Sequence, residues 1–322
     1  MSERAPSCLA LSGGVGGTKL VLGLTHVLDP DALLVVANTG DDFEHLGLHV
    51  SPDLDTLTYT LAGLSNPETG WGRAGESWGF MGALEALGGE SWFLLGDSDL
   101  AMHVERTRRL RAGDSLTAVT AHLTAQLGIA TRILPMSDEP VRTVVGTADG
   151  PLPFQHYFVR EKCAPAVTGF TFEGADTAPP NPAFLAALEA PGLEAIVICP
   201  SNPFISIDPI LALPGVRDRL AASPAPVVAV SPLVGGEAVK GPTAKMMEEL
   251  GLARTTTQVA RHYAGLLDGM VIDTADAAAA DEVRALGTEV LVTGTVMESL
   301  DGRIALARAV LAFAGQCRGG AP

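Results

Sequence analysis

"LALSGGVGGTKLVLGL" (residues 9–24) sets Gly13, Gly14, Gly16 and Gly17 between an apolar run and a helix-like pattern that begins at Thr18-Lys19. An apolar run that stops at glycines and resumes with helical spacing reads as strand, tight turn, helix. Glycines admit positive φ and close approach, and a helix start presents amides without intrahelical acceptors, a setting that favours an anion. Neither familiar phosphate motif fits. A P-loop needs Gly-Lys-Ser/Thr, but here Lys19 follows Thr18 and precedes Leu20; the dinucleotide pattern begins at Gly14 and Gly16 and ends on Lys19 instead of glycine. The physics shared by both motifs survives, so Gly13, Gly14, Gly16, Gly17, Thr18 and Lys19 are expected to hold phosphate. The competing reading is a turn packed tightly against its own protein.

Outward from this turn, short apolar runs end repeatedly in glycine, proline or polar residues: "LLVVAN" (33–38), "EAIVICP" (194–200), "PVVAVSP" (226–232), "GMVIDT" (269–274) and "EVLVTG" (289–294). Their length and β-branched content suit strands buried on both faces. Helix-period segments fall between them at about 18–27, 182–190, 243–250, 256–267 and 297–314. The alternation implies an α/β fold: a Rossmann-like, mostly parallel sheet with helices on both faces. Residues 55–128 carry helical patterns (about 55–64, 78–87, 98–111 and 115–127) and little strand signal. They are expected to form a helical insertion, with 1–54 and 129–322 as the α/β core. "TRILPMSDEPVRTVVGTADGPLPFQHYFV" (131–159) has the alternation of a small antiparallel excursion.

The chain has 322 residues, 47% of them hydrophobic, and a net charge of -16. That balance opposes disorder and a general nucleic-acid surface, which needs a basic stripe. An anionic ligand remains compatible if amides, one lysine or a metal supply local positive potential. Cys8, Cys163, Cys199 and Cys317 form no CxxC pair and read as reduced thiols of a cytoplasmic protein. No apolar stretch nears the roughly 20 residues that cross a bilayer.

Asp41 and Asp42 follow a buried strand, on the carboxyl edge where open α/β sheets bind ligands, and Asp53 and Asp55 precede a helix. Each alone is a plausible cap or loop residue. Four acids beside a phosphate site would repel the ligand unless a divalent cation lay between them, and magnesium suits that role. "CPSNP" (199–203) repeats the strand-end logic, with Ser201 and Asn202 able to bond a nucleotide. Asp138 in "PMSDE" offers an acceptor to a guanine edge. Asp97 and Asp99 fit helix capping, "RTRRLR" (106–111) a solvated helix face, and His45 and His49 exposed positions. Trp71, Trp78 and Trp92 lie in the insertion, and core packing is the expected role of at least two.

In order, "LSGGVGGTKL", "NTGDD", "SPDLDTLTYTLAG", "GWG", "LGDSDLA", "PMSDE", "PSNPFISIDPIL" and "SPLVGGEAVKGP" resemble the 2-phospho-L-lactate (or phosphoenolpyruvate) transferases of coenzyme F-420 biosynthesis. The resemblance spans about residues 8–315. It implies a magnesium-dependent transfer from a guanosine diphosphate ester of lactate or enolpyruvate to the ribityl hydroxyl of 7,8-didemethyl-8-hydroxy-5-deazariboflavin, releasing GMP. It also implies a homodimer, with the helical insertion lining the acceptor site. Matched to the family's segments, Asp41 and Asp55 are the expected metal ligands. Asp55 also falls at the acceptor hydroxyl, as orienting group or base, with Lys19 beside the transferred phosphate. One departure is Leu94, where several relatives carry a basic acceptor-binding residue. The other readings are an NAD- or sugar-nucleotide-dependent enzyme and a non-catalytic nucleotide-binding regulator of the same fold. The missing third glycine opposes the former and "PDLDT" the latter.

Overall fold

The structure is a computed structural model that describes residues 5–68 and 70–319. Seven parallel strands form the central sheet: β1 (Cys8–Ser12), β2 (Leu33–Ala37), β3 (Arg132–Pro135), β4 (Ala195–Ile198), β5 (Val227–Val230), β6 (Gly269–Ile272) and β7 (Glu289–Val292). Their spatial order is β7-β6-β5-β4-β1-β2-β3. The order reverses at β1, which pairs with β2 on one side (Ser12 opposite Ala37) and β4 on the other (Leu11 opposite Ile198).

The continuous apolar runs are explained by burial on both faces. Leu9, Leu11, Leu34, Val36, Ile196 and Ile198 pack into one core with the 182–188 and 203–220 helical segments. Cys8, Ala10, Val35, Ala37 and Val197, the alternate residues of the same strands, pack into the other. That second core is covered by α1 (Gly14–Thr25), α2 (Pro52–Leu61) and the helix Leu300–Gly319.

Between β2 and β3 the chain forms α2, then α3 (Gly79–Ala86), α4 (Asp97–Arg111) and α5 (Leu116–Gln126). A two-stranded hairpin, Phe43–His45 with Leu48–Val50, precedes α2 and is an element the sequence reading lacked. The antiparallel excursion exists as a three-stranded sheet, but its members are Arg142–Thr147, Gly150–Pro153 and Val167–Glu173. "RILP", assigned to that excursion from its pattern, is instead the edge strand of the parallel sheet, pairing Val36 with Leu134. Among the described residues no helix is long and apolar enough to cross a membrane.

Candidate active site

A cleft of ≈ 630 Å³ opens over the carboxyl ends of the strands, at the point where the strand order reverses. Gly13, Gly14 and Gly16 line it after β1, Asp41 after β2, Ser201 and Asn202 after β4, and Ser231 after β5. The opposite wall comes from the insertion and the 154–162 segment: Tyr59, Trp71, Trp92, Phe93, Phe154 and Phe158. One end is therefore polar and backbone-rich, the other aromatic.

What comes so close to the glycine turn is first of all the protein. A Cβ on Gly13 would lie 2.6 Å from Ser206 Cβ and 2.7 Å from Asp53 Oδ2. On Gly16 it would overlap the Pro200 carbonyl oxygen, and on Gly17 the hydroxyl of Ser201. Gly14 is constrained differently, by a φ of +64°. Two turn amides are occupied, Gly13 N–H donating to Ser201 Oγ (3.1 Å) and Gly14 N–H to Asp53 Oδ1 (2.7 Å). Close packing thus explains the glycine content. The amides of Val15 and Gly16, in the first turn of α1, have no intrahelical acceptor by helix geometry and lie at the cleft.

Asn38, at the end of β2, organises the acidic side, a role that sequence reasoning missed. Its buried Nδ2 donates to Asp41 Oδ1 (3.0 Å) and Asp53 Oδ2 (3.0 Å), while its Oδ1 accepts from Gly40 N–H (2.8 Å). Burial first, and then the neighbouring Asp53, hold the Asp41 carboxyl well above the usual carboxylate range against the pull of the Asn38 hydrogen bond. Burial lifts Asp53 to about 6, with Asn38 and Gly14 opposing and Asp42 and Asp55 adding to the rise. Two dry carboxylates tied to one amide are an acidic pair short of positive charge.

Asp55 stands apart from this pair. Positions two apart on a helix face roughly opposite ways, about 200° around the axis, so when Asp53 turns to the glycine loop, Asp55 turns to α4. There Arg106 grips both its oxygens, while Asn38 links Asp41 to Asp53 rather than to Asp55. The "RTRRLR" segment is therefore not wholly a solvated face, because Arg106 is 3% exposed.

Lys19 lines the cleft, half-buried. Burial first, then Arg303 and Lys240, hold its ammonium below the ordinary lysine range. Ser201 and Asn202 line it too, though the Asn202 Oδ1 is already engaged by Phe204 N–H (3.0 Å) as a helix cap. Thr18 and Gly17 are buried behind the turn, Thr18 Oγ1 donating to the Gly14 carbonyl (2.8 Å). Asp138 lies outside the cleft, where its Oδ1 accepts from Thr117 N–H (2.7 Å) at the start of α5. His45 is buried in an aromatic group with Phe43, Trp92 and Phe93, so it is not the exposed residue expected. Trp71 and Trp78 are 51% and 46% exposed, so core packing is not their role. Asp97 caps α3 through Gly79 and Phe80 amides, and Asp99 contacts Tyr59 and His103.

Residues 8–298 match the protein family described as 2-phospho-L-lactate transferase CofD. The chain belongs to this family. It is 41% identical to a phosphoenolpyruvate transferase of Kitasatospora aureofaciens, covering 97% of this chain and 99% of that one. It is 38% identical to a 2-phospho-L-lactate transferase of Methanosarcina mazei, over 94% and 99% of the two chains. A crystal structure of a UPF0052-family protein from Bacillus halodurans superposes with a TM-score of 0.61 at 16% identity, covering 96% of this chain and 99% of that one. At that identity the likeness shows the fold alone, a Rossmann-like α/β sheet. The cleft described above is thus the candidate active site of a member of a transferase family.

Proposed function

We propose that the protein transfers a phospholactyl or phosphoenolpyruvyl group from a guanosine diphosphate ester to the terminal ribityl hydroxyl of 7,8-didemethyl-8-hydroxy-5-deazariboflavin. The hydroxyl oxygen forms a bond to the phosphorus bearing the small acid. The bond from that phosphorus to the bridging oxygen breaks, and GMP leaves with that oxygen. The observation that carries this reading is the meeting, in one cleft, of the Asn38-linked aspartate pair, the α1 amides and an aromatic wall.

Phosphoryl transfer is mainly positioning and charge neutralisation. The first-turn amides of α1 and the Lys19 ammonium face the donor's phosphate oxygens. Ser201 accepts from Gly13 N–H, which leaves its hydroxyl hydrogen for the donor. Asp41 and Asp53 fit magnesium by their chemistry: two hard oxygen donors, buried side by side and disfavoured as free anions. Bound there, magnesium would neutralise charge on the diphosphate. Asp55 faces the aromatic side of the cleft and accepts the proton or the hydrogen bond of the attacking hydroxyl. Tyr59, Trp71 and Phe158 give the deazaflavin ring an apolar bed.

The test is direct. Purified protein is incubated with the deazaflavin, magnesium and each donor in turn, and products are identified by mass. Formation of GMP with the phosphodiester of the deazaflavin supports the reading; if neither donor is consumed, it fails.

A further inference from the structure

Arg106 is the only arginine or lysine buried among the described residues. It stands behind the cleft wall. Its Nη1 and Nη2 take both oxygens of Asp55, and Nη1 also donates to the His49 carbonyl (3.3 Å) and approaches His103 Nδ1 (3.2 Å). His103 Nε2 lies 3.2 Å from Asp99 Oδ2, without hydrogen-bond geometry. The other oxygen of Asp99 accepts from the hydroxyl of Tyr59. Asp55, Tyr59, Asp99 and His103 all line the cleft, and Arg106 does not.

A buried ion pair is a poor device for stability alone, since desolvating both partners cancels most of their attraction. What a guanidinium provides is geometry: a rigid fork that fixes a carboxylate in one orientation. We propose that Arg106 is a positioning residue for the transfer reaction. It occupies one lone pair on each Asp55 oxygen and aims what is left at the acceptor hydroxyl. The acidic cleft is thereby divided into a metal-holding pair and a hydroxyl-holding carboxylate. This inference rests on the transfer reading above.

The test compares Arg106→Lys, which keeps the charge and loses the fork, with Asp55→Asn and with Asp55→Asn/Arg106→Met. For Arg106→Lys, kcat is expected to fall about 30- to 100-fold, the range for a misplaced reacting group. KM for the donor and the magnesium half-saturation should each stay within about threefold, a split that general loosening of the fold would not give. In the double variant the buried charge is removed from both sides, so folding does not hinge on an unpaired carboxylate. Its kcat should match that of Asp55→Asn, because Arg106 acts only through Asp55. An Arg106→Lys enzyme within about threefold of wild-type kcat overturns the inference, as does a further tenfold loss in the double variant. A wild-type chain inactive on both donors sinks the transfer reading instead, before any variant is compared.

Discussion

The backbone of Gly16 lies against the carbonyl oxygen of Pro200 so closely that any β-carbon at residue 16 would overlap it. The contact joins the turn after β1 to the turn after β4 at the cleft. Gly16→Ala should therefore destabilise the fold by about 1–3 kcal/mol, the range for overpacking. Gly14→Ala meets no atom closer than 4.0 Å and strains only φ, so it should cost about 1–2 kcal/mol. Denaturant midpoints of the two variants without ligand check this. A Gly16→Ala protein as stable as wild type would show that ligand approach, not packing, requires the glycine.

Asp41 and Asp53 make stability depend on pH in the unusual direction for carboxylates. Both folded values exceed the ordinary 3.8 of the free side chain, Asp53 reaching about 6. Folding is then penalised by their ionisation. The penalty is complete above the folded values and fades as pH falls through about 6 toward 3.8. Asp41→Asn keeps an acceptor for Asn38 and removes one charge. It should raise Tm at pH 8 by a few degrees, on the scale of about 2–4 °C per kcal/mol, with the gain shrinking at pH 5. Magnesium should stabilise the wild type more at pH 8 than at pH 5 and leave Asp41→Asn unmoved. Equal stabilisation of both proteins by magnesium would place the cation elsewhere.

The parallel sheet was legible because each strand is a short apolar run closed by a turn signal. β3 was not, because "RILP" sits among alternating residues and only its neighbour β2 reveals its direction. The glycine turn, Asp41, Lys19, Ser201 and Asn202 were legible from their places at strand ends, and the structure brings them to one cleft. The partners of the carboxylates were not. Whether Asp53 or Asp55 joins Asp41 is set by helix rotation, and Arg106 lies hidden in a run of arginines whose other members face outward or sit at the surface. Asn38 carried a faint signal, a lone amide closing the apolar β2. Asp138, read as an acceptor for a guanine edge, follows β3 and accepts from an exposed helix start.

Lys19 makes no ion pair among the described residues, and its charge is held at a cost by burial and by the nearby Arg303 and Lys240. A lysine with its folded pKa lowered favours the neutral form on folding, so the charge opposes stability at neutral pH and below. Lys19→Met should leave Tm unchanged or raise it. Donor kcat/KM should fall about 10²- to 10³-fold, the loss seen when a charge-stabilising donor is removed from a transfer site. Steady-state kinetics and a melting curve on the same preparation decide it; a less stable variant with normal donor turnover would assign Lys19 to the scaffold.

Trp71 and Trp92 both line the cleft, but they are held differently. Trp92 is locked edge-on against Phe93, His45 and His156, with ring centroids 5.7, 5.1 and 4.9 Å away, so it belongs to the packing of the wall. Trp71 is half exposed, between Gly70 and Gly72 in the left-handed region. Trp71→Ala should cost less stability than Trp92→Ala. It should raise the KM for the deazaflavin about 2- to 10-fold, the equivalent of one aromatic contact of about 0.5–1.5 kcal/mol. Donor KM should move less than the KM for the deazaflavin. Trp92→Ala should instead lower Tm and weaken turnover of both substrates together, since Phe93 and His45 lose the ring that holds them. Acceptor titrations followed by tryptophan fluorescence separate the two: quenching lost in Trp71→Ala and retained in Trp92→Ala supports the assignment. The reverse pattern would put the deazaflavin deeper in the wall, on Trp92.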